Sequence, residues 1–396
     1  MSSLSSIRHV RRFSTSSAIS ISAAKARLRS EHDPDKALAI YSSVSDRYSS
    51  PVSSRYAQDL TVKRLAKSRR FSDIEKLIES HKKDPKITQE PFLSTLIRSY
   101  GRAGMFDHAL QTFNQMNALG TPRSAISFNA LLSACNQSKK FDQVPKLFSE
   151  ISQKYGISPD KISYGILIKS LCESDLPEST FKILKEMKEK DVEVTAVTYT
   201  TILDALYKKG KTEEAEQIWD EMVAKGCSPD TTAYNVRIMH VHHGKPEAVL
   251  ALIGEMSSAG LKPDTISYNY LLTCYCKNDM LEDAKKVYEG LEGNGCLPNA
   301  ATFRTYIYYL CRNGDFGRGF EVYEDSVRRD KIPDFGTMKP LVEGLVKNSK
   351  LKEAKRLIKT VKKKFPPNFL NAWKKLEMGL DLGGNEESAT EKASST

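Results

Sequence analysis

The stretch KPDTISYNYLL (residues 262–272) has three near-copies in the chain. SPDKISYGILI stands at 158–168, SPDTTAYNVRI at 228–238 and the looser LPNAATFRTYI at 297–307. The aromatic anchors Tyr164, Tyr199, Tyr234, Tyr268 and Phe303 follow one another at steps of 35, 35, 34 and 35 residues. A fixed period of that size marks an array of stacked units, each too small to bury its own core.

One unit, residues 196–230, reads AVTYTTILDALYKKGKTEEAEQIWDEMVAKGCSPD. Val197, Tyr199, Ile202, Leu203 and Leu206 recur at helical spacing. KKGK then interrupts the pattern, with Gly210 free to take the left-handed conformation that ends a helix. A second amphipathic run follows through Ala215, Ile218, Trp219, Met222 and Val223. Pro229 and Asp230 stop it, and Asp230 can cap the next helix. Each unit is therefore a helical hairpin. Small residues early in the second helix (Ala109, Ala215, Ala284, Gly319 and Ala354) permit close helix approach.

Seven full units are read at 90–124, 125–160, 161–195, 196–230, 231–264, 265–299 and 300–334, with an eighth from 335 to about 368. The array thus covers 90–368, and residues 29–89 hold degenerate hairpins, in register from about 55. DPDKALAIYSSV (33–44) reads as the second helix of one of them. Residues 369–396 read as a short helix-like stretch and a polar, disordered tail.

The net charge is +11 over 396 residues, yet residues 1–30 hold six cations and no acid, which leaves +5 for the rest. Nine serines fall within residues 1–22. An Arg-rich, Ser-rich, acid-free start is the composition of an organellar transit peptide, read here as residues 1–28. RRFSTSSA (11–18) resembles a plant mitochondrial cleavage context, so the expected address is the mitochondrial matrix, ahead of the plastid. No run of about 18 apolar residues occurs, so no membrane span is expected.

The hairpin of about 35 residues that ends in Pro-Asp and reopens with a β-branched residue, Thr or Ser, and Tyr-Asn resembles the pentatricopeptide repeat, of the simple class found in plant organelles. The tetratricopeptide signature, its nearest confusion, is absent. The resemblance implies an all-α chain, a right-handed α-solenoid superhelix of stacked helix-turn-helix repeats. It also implies binding of single-stranded RNA, one base per repeat, read by the fifth and last residues of each unit. By that correspondence Asn129 with Asp160 favours U, Thr200 with Asp230 favours G, Asn235 with Asp264 favours U, and Asn269 with Asn299 favours C, or U less strongly. Ile126, Ile162, Val197 and Ile266, at the second position, would sandwich the bases.

The register is broken elsewhere. Ser94 with Ser124 is not a clear pair, Gly165 offers no side chain, and Arg304 and Lys339 put cations at reading positions. The thirteenth position is more regular: Lys67, Arg102, Gln137, Glu173, Lys208, His243, Lys277, Arg312 and Lys347. In the family that position lies near phosphate, so Lys67, Arg102, Lys208, His243, Lys277, Arg312 and Lys347 form the expected phosphate ladder. Cations at helix C-termini also complement the helix dipole, which is the competing explanation.

Catalytic signatures are missing. MHVHHGK (239–245) lacks metal-ligand spacing, and no Cys-x-x-Cys, phosphate loop or nucleophile elbow occurs. Cys172, Cys276 and Cys311 fall at one repeat position, and Cys227 and Cys296 at another, as packing residues do. No enzymatic activity, cofactor, metal or small-molecule substrate is expected. Three roles stay open: a transcript binder acting by occupancy, a component of the mitochondrial ribosomal small subunit gripping ribosomal RNA, and a protein-interaction scaffold. The ordered pairs in 196–299 favour the first, Arg304 and Lys339 the second, and the cation ladder weighs against the third.

Overall fold

The computed structural model describes residues 19–44, 51–365 and 370–382. Most of the sequence read as a presequence and most of the polar tail lie outside the described residues. Among the described residues all regular structure is helical.

The helices come in consecutive pairs. They are α1 (Ile21–Ser30) and α2 (Pro34–Ser42), α3 (Pro51–Lys67) and α4 (Phe71–His81), α5 (Glu90–Arg102) and α6 (Phe106–Asn114), and α7 (Ala125–Gln137) and α8 (Val144–Tyr155). Next come α9 (Lys161–Glu173) and α10 (Thr180–Glu189), α11 (Ala196–Lys208) and α12 (Thr212–Ala224), and α13 (Thr231–Val241) and α14 (Pro246–Ser258). The last are α15 (Thr265–Lys277) and α16 (Leu281–Gly290), α17 (Ala300–Arg312) and α18 (Phe316–Arg328), α19 (Phe335–Lys347) and α20 (Leu351–Lys364), and α21 (Asn371–Gly379). Two compact units divide the chain after Lys209.

In the first unit, first helices pack on first helices, α3 on α5, α5 on α7, α7 on α9 and α9 on α11. The closest approach is at Gly101, where an added Cβ would lie 2.4 Å from the Ala134 Cα. The aromatic anchor of this unit's last full repeat closes the seam to the hairpin before it: the Tyr164 ring on α9 lies tilted against Phe148 of α8 at 5.2 Å. Such pairs add about 0.5–1.5 kcal/mol beyond burial. At the start of this unit Ala24 and Leu28 of α1 are fully buried with Ala37, Tyr41, Val44 and Ala57. Helix α1 thus overlaps the stretch read as presequence (1–28) and packs into the unit because Ala24 and Leu28 sit one helical turn apart on a single apolar face. Helix α3 begins at Pro51, ahead of the repeat register near 55.

The second unit repeats the scheme with α13, α15, α17 and α19 as the packed first helices. Trp219 of α12 meets Tyr234 of α13 edge-on at 5.0 Å. Tyr288 of α16 meets Phe303 of α17 at 6.3 Å. Gly319 is needed for close packing, since an added Cβ would lie 3.0 Å from Leu341. At Gly344 it would lie 1.9 Å from the Phe316 ring. Helix α21 caps the end, with Trp373 edge-on to Phe335 at 4.9 Å.

The turn inside most hairpins needs one left-handed residue. Gly104, Gly210 and Gly314 supply it, but so do Lys139, Asp175, Asp279 and Ser349, which take positive φ with a side chain. That departs from the preference for glycine.

Candidate nucleic-acid interface

The last residue of a unit is the N-cap of the next first helix. Asp160, Asp230, Asp264, Asn299 and Asp334 all accept from backbone N–H groups of the following turn. The fifth residue of the preceding first helix reaches the same point. Asn129 Nδ2 donates to Asp160 Oδ1 at 3.0 Å. Asn235 Nδ2 donates to Asp264 Oδ1 at 3.1 Å, and Asn269 Nδ2 to Asn299 Oδ1 at 3.3 Å.

A third group completes each cluster. Ser163 Oγ donates to Asn129 Oδ1 at 2.6 Å, Ser267 Oγ to Asn235 Oδ1 at 2.7 Å, and Thr302 Oγ1 to Asn269 Oδ1 at 2.7 Å. The same hydroxyls accept from the backbone N–H of Asp160, Asp264 and Asn299, closing three capping boxes. These third-position hydroxyls were not singled out in the sequence. Their signal was present, as a Ser or Thr three residues after Asp160, Asp264 and Asn299.

The two clusters with aspartate leave a defined polar edge. Asp160 Oδ2 and Asp264 Oδ2 accept nothing from the described residues, whereas Oδ1 of each takes several bonds. The asparagine amide keeps a second N–H. A free donor and a free acceptor therefore sit side by side. Burial alone would raise the Asp160 carboxyl, but the Ser163 backbone N–H and the Asn129 and Ser163 side chains hold it below its ordinary value.

Other paired positions differ. Thr200 turns its hydroxyl back to the Ala196 carbonyl at 2.8 Å. Asp230 caps Ala233 at 2.8 Å. Arg304 forms an exposed ion pair with Asp334 at 3.5 Å, and Lys339 reaches Glu343 at 3.7 Å. Ser94 is buried with no hydrogen-bond partner for its hydroxyl among the described residues, while Ser124 is held by Glu90, whose Oε2 takes its hydroxyl at 2.8 Å.

Beside the capped ends stand exposed apolar residues. Ile126, Ile162, Val197 and Ile266 are 46%, 57%, 71% and 49% exposed, although each lies in the first turn of an otherwise well-packed helix. Leaving them in water forgoes the stabilisation that burial would give.

The thirteenth-position cations lie at the opposite ends of the first helices. Lys67, Arg102, Lys208, Lys277, Arg312 and Lys347 are each the last residue of their helix. Arg102 pairs with Asp59 at 2.7 Å and Lys208 with Asp204 at 2.6 Å. Lys67, Arg312 and Lys347 are exposed. At His243 burial and the neighbouring Lys277 and His240 lower the pKa, which favours the neutral ring, and its Nδ1 accepts from Lys277 Nζ. Burial lowers Lys277 as well.

His242 is also neutral. Burial pushes it down to about 4, against the Tyr270 ring at 5.0 Å. Among the described residues no cluster of three metal-ligating side chains occurs. Burial raises the Cys276 and Cys311 thiols to about 12.

The sequence matches the PPR repeat family over residues 123–173, 166–208, 194–239 and 263–312, and the PPR repeat over 93–121. It is 63% identical to the small ribosomal subunit protein mL103 (rPPR7) of Arabidopsis thaliana, over 96% of this chain and 95% of that protein. It is 56% identical to an Arabidopsis thaliana pentatricopeptide repeat-containing protein named as mitochondrial, over 98% of this chain and 95% of that one. The crystal structure of the pentatricopeptide repeat protein PPR10 from maize aligns with a TM-score of 0.49 at 18% identity, covering 91% of this chain and 59% of that chain. The helical hairpins, their period and the near full-length relatives agree: the chain belongs to the pentatricopeptide repeat family.

Proposed function

We propose that the chain is a mitochondrial RNA-binding protein of the ribosomal small subunit, which grips RNA along the capped ends of its first helices and acts by occupancy. The carrying observation is the repeated cluster Asn129–Asp160–Ser163 and its counterpart Asn235–Asp264–Ser267. Each offers one amide N–H and one carboxylate oxygen, matching the donor and acceptor edge of a pyrimidine. The exposed Ile126, Ile162 and Ile266 stand one turn away to cover the base faces.

Only some repeats carry such a cluster, and Arg304 and Lys339 are indifferent to base identity. That mixture suits gripping a fixed RNA in an assembly better than finding one sequence among many. The likeness to a small-subunit protein along the whole chain supports the same reading. The transcript-binding reading keeps one specific support, the intact clusters at Asn235 and Asn269 in consecutive repeats.

A mitochondrial extract run on a sucrose gradient separates the two. Co-migration with the small ribosomal subunit that survives high salt is the expected result. Migration in light fractions, shifted by ribonuclease, would instead assign a transcript binder.

A further inference from the structure

The second helices of the second unit are acidic until the last one. Helix α12 carries five acids and no base. Helix α14 carries two acids and no base. Helices α16 and α18 each carry three acids and two bases. Helix α20, LKEAKRLIKTVKKK, carries seven bases and one acid. The reversal is abrupt and confined to one element.

The placement is more specific than the count. Lys352, Lys355, Lys359 and Lys363 advance by three, four and four residues. At about 100° per residue they fall within a sector of about 80° on one face. Ala354, Leu357, Ile358 and Val361 are buried on the opposite face. All four lysines are exposed. None has an ion pair or hydrogen bond to the described residues, whereas their neighbours do. Arg356 pairs with Glu324 at 2.8 Å, Lys364 with Asp330 at 2.9 Å, and Lys362 with Glu377. The basic residues on the flanks are thus neutralised locally and the central row is not. Like charges one turn apart destabilise a helix. Apart from Lys363, which stands in the last turn and complements the helix dipole, the row brings the local fold no visible gain.

We infer that the Lys352–Lys355–Lys359–Lys363 row is a second RNA contact, which binds the phosphate backbone of double-helical RNA. The row is straight and rigid and spans about 16 Å, with a cation every 4.5–6 Å along the axis. A fixed row of that kind tracks phosphates held at fixed positions, as in a duplex read by shape. Single strands are instead bound where bases stack on aromatic rings, and α20 contains no aromatic side chain. A membrane surface fits poorly, because an interfacial helix must offer its apolar face to lipid. Here that face is in the protein core.

This assignment rests on the chain meeting RNA but not on base reading at the first-helix clusters, and the test separates the two. The full chain is titrated with an RNA duplex of about 20 base pairs and with a single strand of the same length, over a range of salt. The variant K352Q/K355Q/K359Q/K363Q is compared with N129A/N235A/N269A. The expected result is a loss of at least tenfold in duplex affinity for the lysine variant, with the slope of log K against log salt reduced by about 3–4. Single-strand affinity should change less than threefold, and the asparagine variant should show the converse pattern. The lysine-to-arginine variant at the same four positions should retain duplex binding. If the quadruple variant does not fold, K355Q/K363Q should show about half the slope change. Unchanged duplex affinity and slope would overturn the inference. So would an equal loss for duplex and single strand, or tighter binding to vesicles of anionic lipid than to duplex, lost in the same variant.

Discussion

Ser163 Oγ donates to Asn129 Oδ1 at 2.6 Å, across the junction between two hairpins. The Asp160 carboxylate can only accept, so the Asn129 Nδ2 faces it. One hydroxyl thus closes a capping box and braces the amide oxygen on the other side.

Removing that hydroxyl tests both roles. Ser163→Ala should destabilise the chain by about 1 kcal/mol, the usual scale for a lost cap or internal hydrogen bond. Urea denaturation measures it. The variant should also weaken base discrimination at that repeat in a competition among four otherwise identical RNAs, since the amide would then be held only through its N–H to Asp160. A stability loss with discrimination unchanged would show that Ser163 is only a cap.

Much of this arrangement is legible in the sequence. Periodicity fixes the helix pairs, and Pro-Asp before Ile-Ser-Tyr fixes where first helices start. The asparagine–aspartate pairing across units needed the family resemblance, because residues 129 and 160 come together only once hairpins stack. Glu90 was illegible for the same reason: its carboxylate holds the cap of the following unit, 34 residues away at Ser124. The lowered pKa of His243 depends on burial and on Lys277, 34 residues on, neither of which local spacing reveals.

Packing at the glycines gives a contrast within one unit. Gly344→Ala would force a methyl group into the Phe316 ring, where an added Cβ lies only 1.9 Å away. A loss of about 1–3 kcal/mol is expected, as for other overpacked cores. Gly254 in α14 has open space around its Cβ position and an ordinary helical backbone. Gly254→Ala should therefore stabilise by about 0.5–1 kcal/mol. Thermal denaturation of the two variants should move in opposite directions.

His242 makes stability depend on pH. Its folded pKa of about 4 lies below the ordinary 6.5, because burial disfavours the charged ring. Between those values the unfolded chain binds the proton and the folded chain does not. Stability is thus full above pH 6.5 and falls as the pH drops toward 4. His242→Gln should flatten the urea midpoint across that window. The lowered carboxyls of Asp160 and Glu90 act further down, below the ordinary carboxylate range, and should be unaffected by the substitution.

The N-terminal boundary is the last prediction. Ser20 caps α1 by accepting from the Ala23 N–H at 3.1 Å. Ala24 and Leu28 are fully buried against α2 and α3. Cleavage after residue 28 would destroy this helix and uncover Tyr41, Val44 and Ala57. Cleavage within 11–18, where the sequence carries its cleavage-like context, would leave the helix intact. The mature N-terminus found by mass spectrometry of the mitochondrial protein should therefore precede Ser20. Recombinant chains starting at residue 19 and residue 31 should differ in stability by about 2–4 kcal/mol, the scale for burying one leucine and a few smaller groups. Equal melting temperatures for the two would mean that α1 adds nothing to the fold, and the longer presequence would then stand.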